Sequence, residues 1–418
     1  MTGIKHYTTT TKGIGGDLKK KISDFIVKEI TTEGKVLEQK AFGEWDDKRE
    51  QEFEIKGEKK EYLHVSMEKF NMDTNNAIRM ICRGMYSSPK RITYAGMKDK
   101  RAITIQRLCI WNPDVEKLKE FKSRYISITD GEWSNEKITI GSLKGNSFEI
   151  TIRNIDMQEK ELRETTEKCF SEMKENGCAN YFGEQRFGGF REITHKVGKK
   201  FIEGKVEEGV MLYLTSPSEG EEEEIAIARK NLADTKDFSK AIKEFPSKLR
   251  YERSIIHHLC KFPCDFVGAF QNMPKHMTYM FTHAYQSYLF NLVINERIES
   301  GIGLKPIEGD VEEDGFVMGP LFGFETKLCT GKPGEIEQKI LDSEGIKLED
   351  FKVKSFPELS CIGVRKKILV FPHEIKLIEI NEDELNEGKL KLKTEFWLDK
   401  GNYATTIMRE LMKIEKLA

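Results

Sequence analysis

Proline is scarce, with 11 in 418 residues, and cysteine is scarcer still, with 8 and no C-x-x-C pair. That spacing indicates neither a disulfide framework nor a zinc site, and leaves free, mostly buried thiols as the expectation. No run approaches the roughly 20 apolar residues of a membrane helix. The opening MTGIKHYTTTTKGIGG lacks the apolar stretch of a secretory signal, so the expectation is a soluble, cytoplasmic protein. Net charge is also nearly absent, at -2. This excludes a surface that attracts nucleic acid everywhere, but not a local basic groove, because binding follows where charge is focused. GIGG at 13–16 lacks the Gly-Lys-Ser/Thr completion of a phosphate loop, and no Gly-x-Ser-x-Gly turn occurs. The adjacent His257 and His258, near Cys260 and Cys264, would point in different directions, and no metal is expected.

What is present suits a two-domain enzyme. Hydrophobic residues make up 38% and charged residues 33%, enough to bury cores under a heavily solvated surface. Alternation predicts strands over DFIVKEI and YLHVSMEKF, and the segment 40–61 reads as a surface insertion or hairpin. DTNNAIRMICRGM reads as a helix capped by Asp73 or Thr74. RITYAGMKDKRAITIQRLCI places a glycine-containing loop between two apolar runs, and 124–153 is strand-rich, with a meander as one possibility. Asp156 is expected to cap the helix that Gly177 ends. From 187 to 354 helical periodicity dominates: Met277, Met280, Phe281, Ala284, Tyr285 and Leu289 recur every three to four residues as a core face, and the acids 221–224 read as a solvated helix start. Alternation resumes after 354. The pattern divides the chain into 1–186, an inserted 187–354, and 355–418 completing the first part.

Three segments could carry chemistry. From Arg83 to Arg107 the bases are Arg83, Lys90, Arg91, Lys98, Lys100, Arg101 and Arg107, and the lone acid is Asp99. Such a field attracts phosphate and favours the ionised carboxylate, a nucleophile or base, although a structural salt bridge or turn cap is the competing reading. NYFGEQRFGG combines Asn180, Gln185 and Arg186 with Tyr181, Phe182 and Phe187. Amides read base edges, rings stack on unstacked bases and arginine holds phosphate; a glycine-rich turn packed by aromatics is the plainer alternative. Phe25 and Phe396 lie in polar-aromatic segments near the two ends, and each alone is core unless the two ends build one pocket.

Together AGMKDKRAITIQ, GSLKGNSFEITIR, NYFGEQRFGG and FWLDKGNYATTIMRE resemble, in order and separation, the TruD family of transfer-RNA pseudouridine synthases. The resemblance spans essentially the whole chain. It implies a mixed α/β (α+β) fold, in which a pseudouridine-synthase catalytic sheet domain carries an inserted, helix-rich TruD-specific α/β domain, with RNA in the cleft. It also implies isomerisation of uridine 13 of tRNA without cofactor; because a two-domain cleft can build the whole pocket within one chain, a monomer is the default expectation. The family aspartate falls on Asp99, a family lysine near the amino end on Lys19, and the positions around the flipped base on Phe25, Asn180 and Phe182, with Phe396 bordering the pocket. Lys90, Arg91, Lys98, Lys100, Arg101 and Arg186 are the expected phosphate contacts. One departure is Ser23, where the family often has glutamate before the Asp-Phe pair; Lys20 and Lys21 are thus alternatives to Lys19. Competing expectations are a binder that has lost catalysis and a synthase acting on another RNA.

Overall fold

The computed structural model describes residues 3–43, 53–218 and 220–414; part of the 40–61 insertion lies outside them. The chain forms two compact units: Thr8–Cys178 with Val370–Ala418, and Met1–Tyr7 with Ala179–Leu369. Short strands at Cys178–Ala179 and Leu369–Val370, where the chain passes from one unit to the other and back, pair with each other.

The first unit is built on a nine-stranded mixed sheet. Its strands are β1 (Phe25–Ile30), β2 (Ile55–Lys56), β3 (Tyr62–Phe70), β4 (Ile92–Tyr94), β5 (Ile103–Trp111), β6 (Ile126–Ser134), β7 (Gly145–Ile155), β8 (His373–Glu382) and β9 (Leu390–Asp399). The order is β8-β9-β7-β1-β5-β3-β6-β2, with β4 paired on β5. β1–β5 and β2–β6 run parallel, whereas β1–β7, β7–β9 and β3–β5 are antiparallel. The meander considered for 124–153 does not form: β6 lies beside β3 and β7 beside β1, so β1, β5 and β3 stand between them. The C-terminal strands extend the sheet beyond β7.

Alternation in β1 sorts two cores. Phe25 and Val27 join Phe148, Ile150 and Phe396, under the helices Glu159–Asn176 and Ala404–Met412, while Ile26 packs with Ile103, Ile105 and Phe42. The helix Thr74–Gly84 starts as expected, with the Asn76 N–H donating to Asp73 Oδ1 at 2.9 Å. The helix Glu159–Asn176 starts later than its sequence suggests. Gln158, not Asp156, is its N-cap, and it offers no side-chain cap. Residues 156–158 carry the chain out of β7 first, and Asp156 instead meets Lys389 at 2.9 Å. Gly177 ends that helix at φ 71°, where an added Cβ would lie 2.9 Å from the Phe371 ring.

The second unit surrounds the 25-residue helix Lys275–Glu299. Phe281, Ala284, Tyr285 and Leu289 are buried as expected, whereas Met277 and Met280 are only half-buried. Glu222, Glu223 and Glu224 are exposed at a helix start, but Glu221 is not: it accepts from the buried Arg229 Nε at 2.9 Å. That guanidinium also meets Glu252 at 3.2 Å, which Arg191 shares at 3.6 Å, so the cluster sets two cations against two carboxylates. A small sheet joins Glu312–Glu313, Phe316–Leu321 and Val364–Lys367. None of the described helices is long and apolar enough to cross a membrane.

Close approach of the helix Thr194–Ile202 to the long helix depends on Gly198, whose added Cβ would lie 2.0 Å from the Phe281 carbonyl oxygen. Although alanine is the better helix former, Gly198→Ala is expected to destabilise the protein by about 1–3 kcal/mol in urea denaturation, because backbone cannot yield as a side chain can. Unchanged stability would show that the two helices separate freely.

Candidate active site

The loop 95–102 joins β4 to β5 and carries Asp99. Its peptide groups lie beyond the β4–β5 ladder, which ends at Tyr94↔Leu108, and buried peptide groups need other partners. Side chains supply them. Lys69, at the end of β3 and fully buried, donates from Nζ to the Asp99 carbonyl at 2.6 Å. Gln106 Nε2 donates to the Gly96 carbonyl at 3.1 Å, and the Lys98 N–H donates to Thr74 Oγ1 at 3.2 Å. Thr74 in turn donates to Gln106 Oε1 at 3.1 Å, tying the start of the helix to β5. Register explains the convergence: Val27 of β1, Thr104 of β5 and Lys69 of β3 are successive cross-strand neighbours and so point to one face.

Two cations fasten the loop to its surroundings. Lys98 Nζ lies 2.7 Å from Glu29 Oε2, with side-chain exposures of only 4% and 2%. Removing either partner would strand a buried charge, at a cost of about 3–5 kcal/mol. Arg101 donates from Nε to the Lys19 carbonyl at 2.8 Å and from Nη2 to the Lys20 carbonyl at 3.1 Å. Lys19 itself has φ 57°, left-handed backbone that is rare for a side chain other than glycine, asparagine or aspartate. Its Nζ reaches Asp99 Oδ1 at 3.0 Å and stands 4.1 Å from the centre of the Phe25 ring. The Asp99 side chain remains 38% exposed, so an ion-paired carboxylate is presented at the surface of a rigidly held loop.

Beneath Lys19 an aromatic row crosses the sheet. The register pairs Val27 with Phe148 and Phe148 with Phe396. Phe25 meets Phe148 edge-on at 6.3 Å, and Phe148 stacks on Phe396 at 5.4 Å. The two ends of the sequence therefore do meet, through β1, β7 and β9. Phe25 and Phe396 are themselves almost fully buried.

In the second unit, NYFGEQRFGG lies along the long helix. Tyr181 Oη donates to Asn295 Oδ1 at 2.7 Å, and Asn291, one turn earlier, clamps Phe182 from both sides. The Phe182 N–H donates to Asn291 Oδ1 at 2.9 Å, and Asn291 Nδ2 donates to the Phe182 carbonyl at 3.0 Å. The Asn180 N–H donates to the Ile368 carbonyl and its Nδ2 to the Lys367 carbonyl, at 2.8 and 2.9 Å. Phe182 meets Phe290 edge-on at 5.4 Å. Arg186 stands 5.7 Å from the Phe182 ring and donates from Nε to Ser287 Oγ at 3.1 Å.

The basic segment is thus heterogeneous. Lys90 and Lys100 are exposed; Arg91 donates to the carbonyls of Trp111 and Asn112; Lys98 and Arg101 hold backbone or a buried acid. Sequence reading did not find Lys69, Thr74, Gln106 or Glu29. A usable signal existed in the adjacent charges Glu68 and Lys69 inside an apolar strand. Both are buried, and Glu68 accepts the N–H groups of Lys40, Ala41 and Phe42.

Burial pushes the Lys69 ammonium down to about 8, against the opposing pull of Asp99 and Asp73. A base depressed in the folded state binds fewer protons there than in the unfolded chain between pH 8 and the ordinary lysine value of 10.5. Folding stability should therefore rise with pH across that window, by on the order of 3 kcal/mol from this residue. Urea denaturation of wild type and Lys69→Met at both ends of the window isolates this term. The difference in stability between the two should move in favour of wild type as pH rises, and a constant difference would contradict the burial argument.

Comparison with known proteins agrees across the chain. The family model for tRNA pseudouridine synthase D (TruD) matches residues 1–314 and 312–411. "Probable tRNA pseudouridine synthase D" of Methanosarcina acetivorans is 38% identical over 448 residues, covering 99% of this chain and 96% of the relative. "Probable tRNA pseudouridine synthase D 1" of Methanocaldococcus jannaschii is 38% identical over 400 residues, covering 96% of each. The crystal structure of a TruD candidate from Methanosarcina mazei superposes with a TM-score of 0.80 at 37% identity, covering 99% of this chain and 97% of that one. The chain belongs to the TruD family of tRNA pseudouridine synthases.

Proposed function

We propose that this protein isomerises uridine 13 of tRNA to pseudouridine, with Asp99 as the catalytic group and no cofactor. The observation that carries this reading is the Asp99 carboxylate, held 3.0 Å from Lys19 on a loop whose carbonyls are tied down by buried side chains. The family membership supports the reaction class. The unit 8–178 with 370–418 is the catalytic domain in this reading, and the helix-rich unit is the TruD-specific insertion.

The reaction breaks the bond from ribose C1′ to uracil N1, forms a bond from C1′ to C5, leaves a proton on N1 and releases the C5 proton. Electrons balance without redox chemistry. Asp99 acts on the sugar, either as a nucleophile at C1′ or as the base that removes the C2′ proton. Lys19 fixes the orientation of Oδ1, Phe25 supports the Lys19 ammonium, and Phe396 backs that aromatic row. Asn180 and Phe182 hold the flipped base, offsetting an unstacking penalty of about a few kcal/mol. Phe182 has no group that takes a proton, so water or Asp99 receives the one from C5. Exposed Lys90 and Lys100, with Arg186, contact phosphates; Lys98 and Arg101 serve by holding the loop, and Arg91 by holding the carbonyls of Trp111 and Asn112 at the far end of β5. One chain supplies every residue named, so a monomer suffices, acting in the cytoplasm on tRNA.

Asp99→Asn keeps the shape and removes the nucleophile and base. With unmodified tRNA tritiated at uridine C5, it should lose tritium release by more than about 10³-fold, roughly 4 kcal/mol of barrier, while still binding tRNA. Undiminished release would remove Asp99 from the mechanism. Phe182→Ala should raise KM and lower kcat together, since it loosens base capture; a normal rate at saturating tRNA would rule out its stacking role.

A further inference from the structure

The strand Val364–Lys367 carries three consecutive cations, Arg365, Lys366 and Lys367, and their surroundings differ. Arg365 is bidentate on Glu337, with Nη1 2.8 Å from Oε1 and Nη2 3.2 Å from Oε2. Lys367 lies 3.6 Å from Asp314 and stands over Phe316. Lys366 has no carboxylate partner among the described residues. Its Nζ stands 5.4 Å from the centre of the Phe182 ring and 6.0 Å from that of Phe290.

The fold creates this position deliberately in physical terms. Lys366 is paired across the small sheet with Gly319, where an added Cβ would lie 2.9 Å from Phe290 Cε2 and 2.5 Å from Ile368 Cγ2. The bare backbone at 319 admits the Phe290 ring, and that ring with Phe182 forms the apolar wall beside the ammonium. Lys366 is partly exposed, yet burial alone pushes its ammonium down to about 7, with no charged neighbour to counter it. Ring faces attract a cation, but by less than a desolvated ammonium forfeits. Arg186 stands over the same Phe182 ring at 5.7 Å, and Asn180 is hydrogen-bonded to the adjoining residue Lys367. A cation short of water and of counter-charge, beside a second cation and an amide, is a receptor for an anion.

We infer that Lys366 binds an RNA phosphate: its ammonium receives a phosphate oxygen of the strand whose base is held by Asn180 and Phe182. The inference rests on the proposed function and extends it to a residue outside the basic segment 83–107. Lysine contributes here as a point charge, and the phosphate supplies the counter-charge that Lys366 lacks among the described residues.

The test is the salt dependence of tRNA binding, measured by filter retention for wild type, Lys366→Met, Lys366→Gln and Lys366→Arg, with tritium release assayed in parallel. Loss of one phosphate contact should flatten the slope of log K against log salt concentration by roughly 0.7–0.9 and weaken binding about tenfold at low salt. Lys366→Arg should restore the wild-type slope. Methionine and glutamine both relieve the desolvation of the ammonium, and matching thermal melts identify which variant is folded and is read. A wild-type slope in the folded neutral variant, at whatever affinity, overturns the inference. Wild type that binds tRNA without releasing tritium overturns the proposed function instead, and leaves the slope comparison standing.

Discussion

The hydrogen bond from the buried Lys69 ammonium to the Asp99 carbonyl is the constraint on which the candidate site depends. A loop eight residues long, 95–102, satisfies few of its own peptide groups, the Ala102 N–H bond to the Lys100 carbonyl being one, and without other partners it would fluctuate in water. Lys69 grips it at Asp99, the proposed catalytic residue. Gln106 and Thr74 hold its approach, Lys98 sinks into Glu29, and Arg101 draws in the turn that bears Lys19. Because Lys19 and Asp99 are both fixed through this one network, their 3.0 Å pairing is set by the fold before any substrate arrives. Preorganised charge of this kind is where much enzymatic rate enhancement originates.

The arrangement is expensive. A lysine with no exposed surface and a buried Lys98–Glu29 pair both forfeit hydration that Coulomb attraction only partly restores. A sheet built for stability alone would carry apolar residues at these positions. Their presence is consistent with local stability having been exchanged for position, and the cost falls on β1, β3 and β5, the strands best buttressed by cores on both faces. The helix-rich unit shows the same economy by other means, using Asn291 and Asn295 on one helix face to hold an irregular segment without regular secondary structure.

Much of this was legible in the sequence because local chemistry dictated it. Alternation located β1 and β3, apolar runs marked β4 and β5, the strand-rich reading of 124–153 covered β6 and β7, Asp73 announced its helix, and Gly177 ended another. The basic loop around Asp99 and the segment Asn180–Gly189 stood out by composition. Hidden from view were properties that depend on register. Whether Lys98 faces solvent or Glu29 is decided by which residues of β1 lie beside β5, and sequence periodicity carries no information about a parallel pairing between strands more than seventy residues apart. The same holds for Lys366, whose isolation is visible only once its neighbours' partners are known. Asp156 failed as a cap for a smaller reason: three irregular residues, 156–158, separate the end of β7 from the first turn of the helix.

The central claim, that the grip of Lys69 on the Asp99 carbonyl makes the carboxylate competent, is tested most directly by single-turnover formation of pseudouridine in unmodified tRNA by folded Lys69→Met, at saturating enzyme. The account predicts a rate at least about tenfold below wild type, the loss of a charged hydrogen bond of about 1.5–3 kcal/mol, with tRNA affinity nearly unchanged. A wild-type rate from the methionine variant would contradict it, and would mean that the loop presents Asp99 without Lys69.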